Sequence, residues 1–224
     1  MADLFRFFVD FVLHIDRHLL EIVTNYQSWT YAILFLIIFC ETGLVVTPLL
    51  PGDSLLFAAG AVAAMDGNPI NIYVLVLLML LAAFLGDNTN YAIGRFLGIK
   101  VYEKDYKLIK RKYLDDTHAF YEKHGGKTLV IARFMPIIRT FAPFVAGVGT
   151  MKYPRFLTYC IIGNLLWVNL FSFAGYYFGN LPTVKHNFSL VVFAIIFISF
   201  IPPVYTFAKQ FLKARAERKI VKSE

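Results

Sequence analysis

Four charged residues stand in segments that are otherwise apolar enough to be buried in a membrane, and each pair lies beside prolines. Glu41 and Asp53 flank Thr47-Pro48-Leu49-Leu50-Pro51-Gly52, and Arg133 and Arg139 flank Pro136. A charge at bilayer depth costs about 2.5–3.5 kcal/mol even on insertion scales. Four of them, balanced in sign, therefore mark a pathway or a binding site. Their chemistry is narrow. Carboxylates exchange protons, and a guanidinium grips two oxygens of a phosphate or carboxylate at once. A helix broken at proline adds free N–H groups and a positive dipole end. Arg139, just past Pro136, stands near the start of such a limb, so the pattern describes an anion site, phosphate above all.

Simpler roles compete for two of the four. Asp53 follows Pro-Gly and could cap a helix over Ser54 to Ala64. Arg133 is a few residues from Lys127 and could snorkel to the interface. A fifth charge, Asp87, shares a helical face with Asn90 and Gly94 at i, i+3 and i+7, a pattern of polar packing or cavity lining.

The elements that must position these residues are membrane helices. Apolar residues make up 58% of the 224-residue chain and charged ones 17%, with a mean hydropathy of +0.60; that balance excludes an ordinary soluble domain. Ile72 to Gly94, Phe156 to Phe178 and Ser189 to Ala208 are each long enough to cross a hydrocarbon core of about 30 Å. Tyr31 to Met65 is too long for one crossing and is interrupted at Pro48 and Pro51. Thr128 to Gly149 is interrupted at Pro136 and Pro143. Both read as re-entrant hairpins whose breaks face inward, because irregular backbone at that depth needs protein or a watery cavity around it. Asp3, Arg6, Asp10, His14, Arg17, Glu21 and Thr24 form one polar stripe, the mark of an amphipathic helix at the interface. The N-terminus lacks a basic leader and a small-x-small cleavage site and is expected to stay on.

The expected fold is all-α: a polytopic membrane protein with two inverted re-entrant helical hairpins, about three full transmembrane helices and the N-terminal amphipathic helix. It forms one membrane domain over 1–224. Within it lie the amphipathic helix (1–27), a first repeat (28–98), a basic cytoplasmic loop (99–127), a second repeat (128–180), a last transmembrane helix (187–208) and a basic cytoplasmic tail (209–224). The repeat rests on short matches. Pro48-Leu-Leu-Pro before Ala58-Ala59-Gly60 parallels Pro136-Ile-Ile-Arg before Val145-Ala146-Gly147, and Gly94 with Gly98 parallels Gly175 with Gly179. Paired interrupted segments in two halves point to a transporter site near the midplane. Basic residues concentrate in Lys100 to Lys127, in Lys152-Tyr-Pro-Arg155 and in the tail, and Asp66-Gly-Asn-Pro69 has none. The positive-inside rule then puts those basic parts and the C-terminus in the cytoplasm and makes the two hairpins open to opposite sides.

Other chemistry is absent from the sequence. Gly126-Lys127-Thr128 ends like a P-loop, but the required glycine is Tyr121. No HExxH, GxSxG or divalent-metal cage occurs, and His14 and His18 are read as a solvated face. Cys40 and Cys160 lie in apolar runs without CxxC spacing and read as small hydrophobes. No cofactor, metal or nucleic-acid partner is expected, and no enzyme: a phosphatase needs a poised nucleophile or base, and none of the five histidines falls in a hairpin.

Glu41-Thr-Gly-Leu, Leu50-Pro-Gly-Asp53-Ser-Leu, Gly86-Asp-Asn-Thr-Asn-Tyr-Ala-Ile-Gly-Arg95, Ala132-Arg-Phe-Met-Pro-Ile-Ile-Arg-Thr-Phe-Ala-Pro-Phe-Val-Ala-Gly147 and Gly163-Asn-Leu-Leu-Trp167 closely resemble the bacterial DedA family of inner-membrane proteins, which carries the VTT or SNARE-associated domain. The resemblance runs from about Asp10 to Gly179. It implies paired re-entrant hairpins, function-critical acids and arginines at Glu41, Asp53, Arg133 and Arg139, dependence on proton motive force, and lipid translocation, with some members recycling undecaprenyl phosphate. The expected function is a proton-driven flippase for an anionic lipid carrier in envelope synthesis. Arg133 and Arg139 would hold the lipid phosphate, Glu41 and Asp53 would carry protons, and Asp87 and Asn90 would line the cavity. A phosphatidylethanolamine scramblase, a small-cation antiporter and a scaffold for envelope proteins are the other readings. The expected partners are the lipid phosphate headgroup, protons and the bilayer; a homo-oligomer is compatible with the pattern.

Overall fold

The computed structural model describes residues 28–44, 52–65, 70–103, 125–149 and 151–186, with the isolated positions 26, 67, 190, 191 and 194. The amphipathic helix, the Pro48 and Pro51 turn, most of the basic loop, nearly all of the last expected span and the tail lie outside them. The described residues form helices only: α1 (Trp29–Gly43), α2 (Gly52–Ala63), α3 (Ile72–Glu103), α4 (Lys127–Ala132), α5 (Pro136–Val148), α6 (Tyr153–Phe178) and α7 (Pro182–His186). Ile72–Leu97 and Tyr153–Phe178 are long and apolar enough to cross a membrane.

Local chemistry explains where these helices start. Asn71 caps α3: its Oδ1 accepts the N–H groups of Tyr73 at 2.9 Å and Val74 at 3.4 Å, the role an amide serves at an N-terminus. The Asn71 N–H in turn donates to the Tyr31 hydroxyl at 2.6 Å, fixing the start of α3 to α1. Pro136 opens α5 at its first position, where a missing N–H costs nothing, and Met135 before it is extended, as a residue preceding proline prefers.

Two expectations change here. The first long helix continues past Gly94 to Glu103, because Arg95 and Lys100 end the apolar run without ending helical hydrogen bonding. Pro143 does not interrupt the second hairpin segment; α5 runs through it to Val148. The break falls at residues 133–135 alone, and Pro143 removes one helical donor without stopping the chain.

The packing is nearly unchanged when the halves are exchanged. α1 lies on α3 and α4 on α6; α2 lies on α6 and α5 on α3; the long helices α3 and α6 touch each other. Glycines set the closest crossings. A Cβ at Gly60 would strike the backbone of Ser172 and Tyr176, and one at Gly147 would strike that of Tyr91 and Arg95. Gly175 sits against Phe57 as Gly94 sits against Phe144. Lipid offers no hydrophobic drive to join helices, so close backbone contact at small residues must supply the attraction.

Two apolar clusters fill the interior. The larger includes Leu34, Ile38, Leu56, Leu75, Met79, Ala83, Trp167 and Val168. The smaller includes Tyr91, Leu129, Ala132, Ala146, Phe156 and Cys160. Along α3 the buried Asp87 and Asn90 fall between Ala83 and Tyr91, and along α6 Asn164 falls between Cys160 and Trp167. The polar residues thus occupy a layer separating the clusters, about 16 Å from the start of α6 at 1.5 Å per residue.

Gly60→Leu and Gly147→Leu should each cost at least about 1–3 kcal/mol by forcing backbones apart and lower the unfolding temperature in detergent. Leu166→Ala, on an exposed face of α6, should not. If the glycine variants melt like the parent, the close crossings are wrong.

Candidate functional site

Helix ends deliver the charged residues to the polar layer. Glu41 lies in the last turn of α1, Asp53 in the first turn of α2, Arg133 just beyond α4 and Arg139 in the first turn of α5. The middle of α3 adds Asp87 and Asn90, and the middle of α6 adds Cys160, Asn164 and Trp167. All of these side chains are buried. Asp53 sits at a helix N-terminus, where the dipole favours a negative charge.

The Arg139 guanidinium forms ion pairs with both Glu41 and Asp53. The Gly52 N–H donates to Glu41 Oε1 at 3.3 Å, and the Trp167 indole N–H donates to Asp53 Oδ1 at 2.8 Å. A Cβ at Gly52 would collide with the Glu41 carboxylate, so only glycine lets α2 start this close to the acid. Arg133 pairs with Asp87. Asp87 Oδ2 also accepts from the Asn164 amide at 2.8 Å and the Cys160 thiol at 2.7 Å.

Trp167 stands between the two centres, its ring centroid 5.0 Å from the Arg139 guanidinium carbon and 6.0 Å from that of Arg133. A desolvated cation–π contact is worth about 2 kcal/mol. The two guanidinium groups thus share one aromatic wall. Asn90 fastens the layer by donating to the Thr42 carbonyl at 3.0 Å and the Thr140 carbonyl at 2.7 Å, joining the end of α1 to α5.

Three ionisable acids face two guanidinium groups here. One negative charge is therefore in excess when all are ionised, and among the described residues no further buried cation balances it. Several polar atoms have no hydrogen-bond partner: Glu41 Oε2, Asp87 Oδ1, Arg133 Nη1, Arg139 Nε and Asn164 Oδ1. Spare donors on both arginines and spare acceptors on the acids equip the layer to exchange partners.

The four residues singled out by charge and proline come together, but as two centres: Glu41, Asp53 and Arg139 in one, and Arg133 with Asp87 in the other. Asp87 is the direct counter-ion of Arg133, and Asn90 is a clasp between helices. Sequence reasoning missed Gly52, Cys160, Asn164 and Trp167. A signal for the last three was available, since they recur at i, i+4 and i+7 on one face of an apolar span. Cys160 is more than a small hydrophobe, because its thiol is a hydrogen-bond donor to Asp87.

Removing one partner of a buried ion pair strands the other, at about 3–5 kcal/mol. Asp87→Ala should therefore lower the unfolding temperature in detergent more than Asp87→Ala combined with Arg133→Ala. Additive losses in that cycle would mean the pair does not exist.

The VTT domain matches residues 50–177. The protein DedA of Escherichia coli strain K12 is 58% identical over 203 residues, covering 90% of this chain and 93% of that protein. An uncharacterized membrane protein of Mycobacterium tuberculosis strain H37Rv is 43% identical over 85% of this chain and 83% of its own length. The inner membrane protein YqjA of Escherichia coli strain K12 is 36% identical over 68% and 69%. No solved structure matches the chain. With Asp53, Asp87, Arg133 and Arg139 inside the matched region and DedA of Escherichia coli covering 90% of its length, the chain is a membrane protein of the DedA family and carries a VTT domain.

Proposed function

We propose that this protein moves an anionic lipid carrier, undecaprenyl phosphate, across the bacterial inner membrane at the expense of the proton motive force. The observation that carries this reading is the sharing of Arg139 between two buried carboxylates. A lipid phosphate and the acids Glu41 and Asp53 compete for the same donors. When the acids are ionised, Arg139 is occupied. A proton on Glu41 removes the excess negative charge of the layer and frees a guanidinium edge, which then takes a phosphate oxygen. Loss of that proton on the other side restores the ion pair and expels the phosphate. The spare Arg133 Nη1 and Arg139 Nε supply further donors for the phosphate. Each proton that crosses contributes about 2.3 kcal/mol per 100 mV of membrane potential, enough to bias a step more than tenfold.

In this reading α1–α2 and α4–α5 are re-entrant hairpins from opposite faces, with about three full spans, the N-terminal amphipathic helix and a cytoplasmic C-terminus. The nearly exchangeable packing of the halves supports the inverted arrangement, and the name of the relative YqjA supports the inner membrane. The chain works as a transporter and makes or breaks no covalent bond. A small-cation antiporter has less use for two buried arginines.

Topology is checked by single cysteines in a Cys40→Ala, Cys160→Ala background. One at Gly67 should label only from outside, and those at Tyr113 and the C-terminus only from the cytoplasm. Gly67 and Tyr113 reporting the same side would exclude opposed hairpins.

Transport is checked in liposomes with labelled undecaprenyl phosphate. Arg139→Lys should keep the charge yet weaken headgroup binding, because lysine lacks the planar fork. Glu41→Gln should still bind lipid but lose its response to an imposed proton gradient. If Glu41→Gln transports normally and still follows the gradient, Glu41 does not couple protons.

A further inference from the structure

Trp167 is fully buried, and it meets both members of one ion pair. Its indole N–H donates to Asp53 Oδ1 at 2.8 Å, and its ring centroid lies 5.0 Å from the Arg139 guanidinium carbon. Asp53 Oδ1 also accepts from Arg139 Nη1. An indole N–H can only donate, and a buried one needs an acceptor. The close crossings of α2 on α6, where Gly60 meets Ser172 and Gly175 meets Phe57, set the register that puts indole and carboxylate side by side.

The other carboxylate on Arg139 is held less firmly. Glu41 Oε1 accepts from Arg139 Nη2 and, at 3.3 Å, from the Gly52 N–H, and Glu41 Oε2 has no hydrogen-bond partner. Arg139 Nε has none either. Nε and Nη2 together form one edge of a guanidinium, a fork that grips two oxygens of one phosphate. Nη1, the nitrogen that Asp53 holds, lies off that edge.

The geometry points to Trp167 as a positioning residue for phosphate recognition: it anchors Asp53 on Arg139 Nη1, so that departure of Glu41 alone opens the Nε–Nη2 edge with its direction already set. This deepens the transport reading above, rests on it for the phosphate, and narrows the competition for Arg139 to Glu41. An arginine released by both acids at once is an unpaired buried cation, which is costly. One anchored through Nη1 keeps a counter-ion while its other edge changes partners. The ring against the guanidinium and the N–H on the carboxylate hold the two sides of the pair with one side chain.

The test uses the purified full-length protein in lipid bilayers, with arginine labelled with nitrogen-15 and the Arg139 signals assigned by their loss in Arg139→Lys. The parent should show separate Nη1 and Nη2 resonances, because Nη1 is pinned. In Trp167→Phe, which removes the N–H and keeps an aromatic face, they should merge, and labelled undecaprenyl phosphate should bind about tenfold more weakly. Val168→Ala, which trims a buried apolar side chain next along α6, should change neither. Merged resonances in the parent or in Val168→Ala, or separate ones in Trp167→Phe, overturn the proposal.

A second measurement leaves Trp167 in place. Trp29 is the other tryptophan of the chain, so in Trp29→Phe the indole N–H band of the ultraviolet resonance Raman spectrum belongs to Trp167. It should report a bonded N–H with and without undecaprenyl phosphate, and also when Glu41→Gln is added, but an unbonded N–H when Asp53→Ala is added. A bond that is lost on lipid addition, or that survives Asp53→Ala, overturns the proposal as well. Should the resonances and the N–H band behave as expected while the parent fails to bind undecaprenyl phosphate, the anchoring of Arg139 by Trp167 stands and the transport reading falls.

Discussion

Arg139 reaches two carboxylates that belong to the other half of the chain, and much of the fold is arranged so that it can. A guanidinium buried among apolar helices is intolerable alone and tolerable when paired and hydrogen-bonded. Glu41, Asp53, the Gly52 N–H and the Trp167 indole form that setting. It requires α1 to end, α2 to start and α5 to start at one level. Helix ends are where side chains and free backbone groups can converge from several directions, and so the charges come with proline and glycine. The glycine crossings hold the two long helices and the shorter ones close enough for the layer to be continuous.

All three ion pairs among the described residues cross between the halves. A rocking of one half against the other must therefore break or exchange them, and the layer is built for exchange: acids outnumber arginines, and several donors and acceptors are spare. Trp167, in contact with both guanidinium groups, gives the arginines a common surface along which to shift. The Asn90 bond to the Thr140 carbonyl also crosses between the halves, so the same movement would have to break it, whereas its bond to the Thr42 carbonyl lies within the first half. In the proposed transport cycle, stability and movement would draw on the same few contacts.

Much of the site was legible in the sequence. Charge inside an apolar run, combined with proline, picked out Glu41, Asp53, Arg133 and Arg139, because both features are costly in a membrane. The pairing was not legible, since it depends on how α3 and α6 rotate about their axes. From the sequence Asp87 reads as polar packing or cavity lining for that reason; in the structure it is the counter-ion of Arg133. Cys160, Asn164 and Trp167 are unremarkable by type, and their shared face carries meaning only once α3 lies opposite. Helix ends are the least legible feature. Arg95 and Lys100 mark where the apolar run stops, whereas α3 continues to Glu103; Pro143 has a breaker's identity but lies inside α5, which absorbs the loss of one donor.

If lipid phosphate and Glu41 compete for Arg139, binding of one must change the protonation of the other. Calorimetric titration of the purified protein with undecaprenyl phosphate, repeated in buffers of different ionisation enthalpy, measures the protons exchanged on binding. Net proton uptake should accompany lipid binding and be abolished in Glu41→Gln. Binding with no proton exchange in the parent, or with the same uptake in Glu41→Gln, would contradict it.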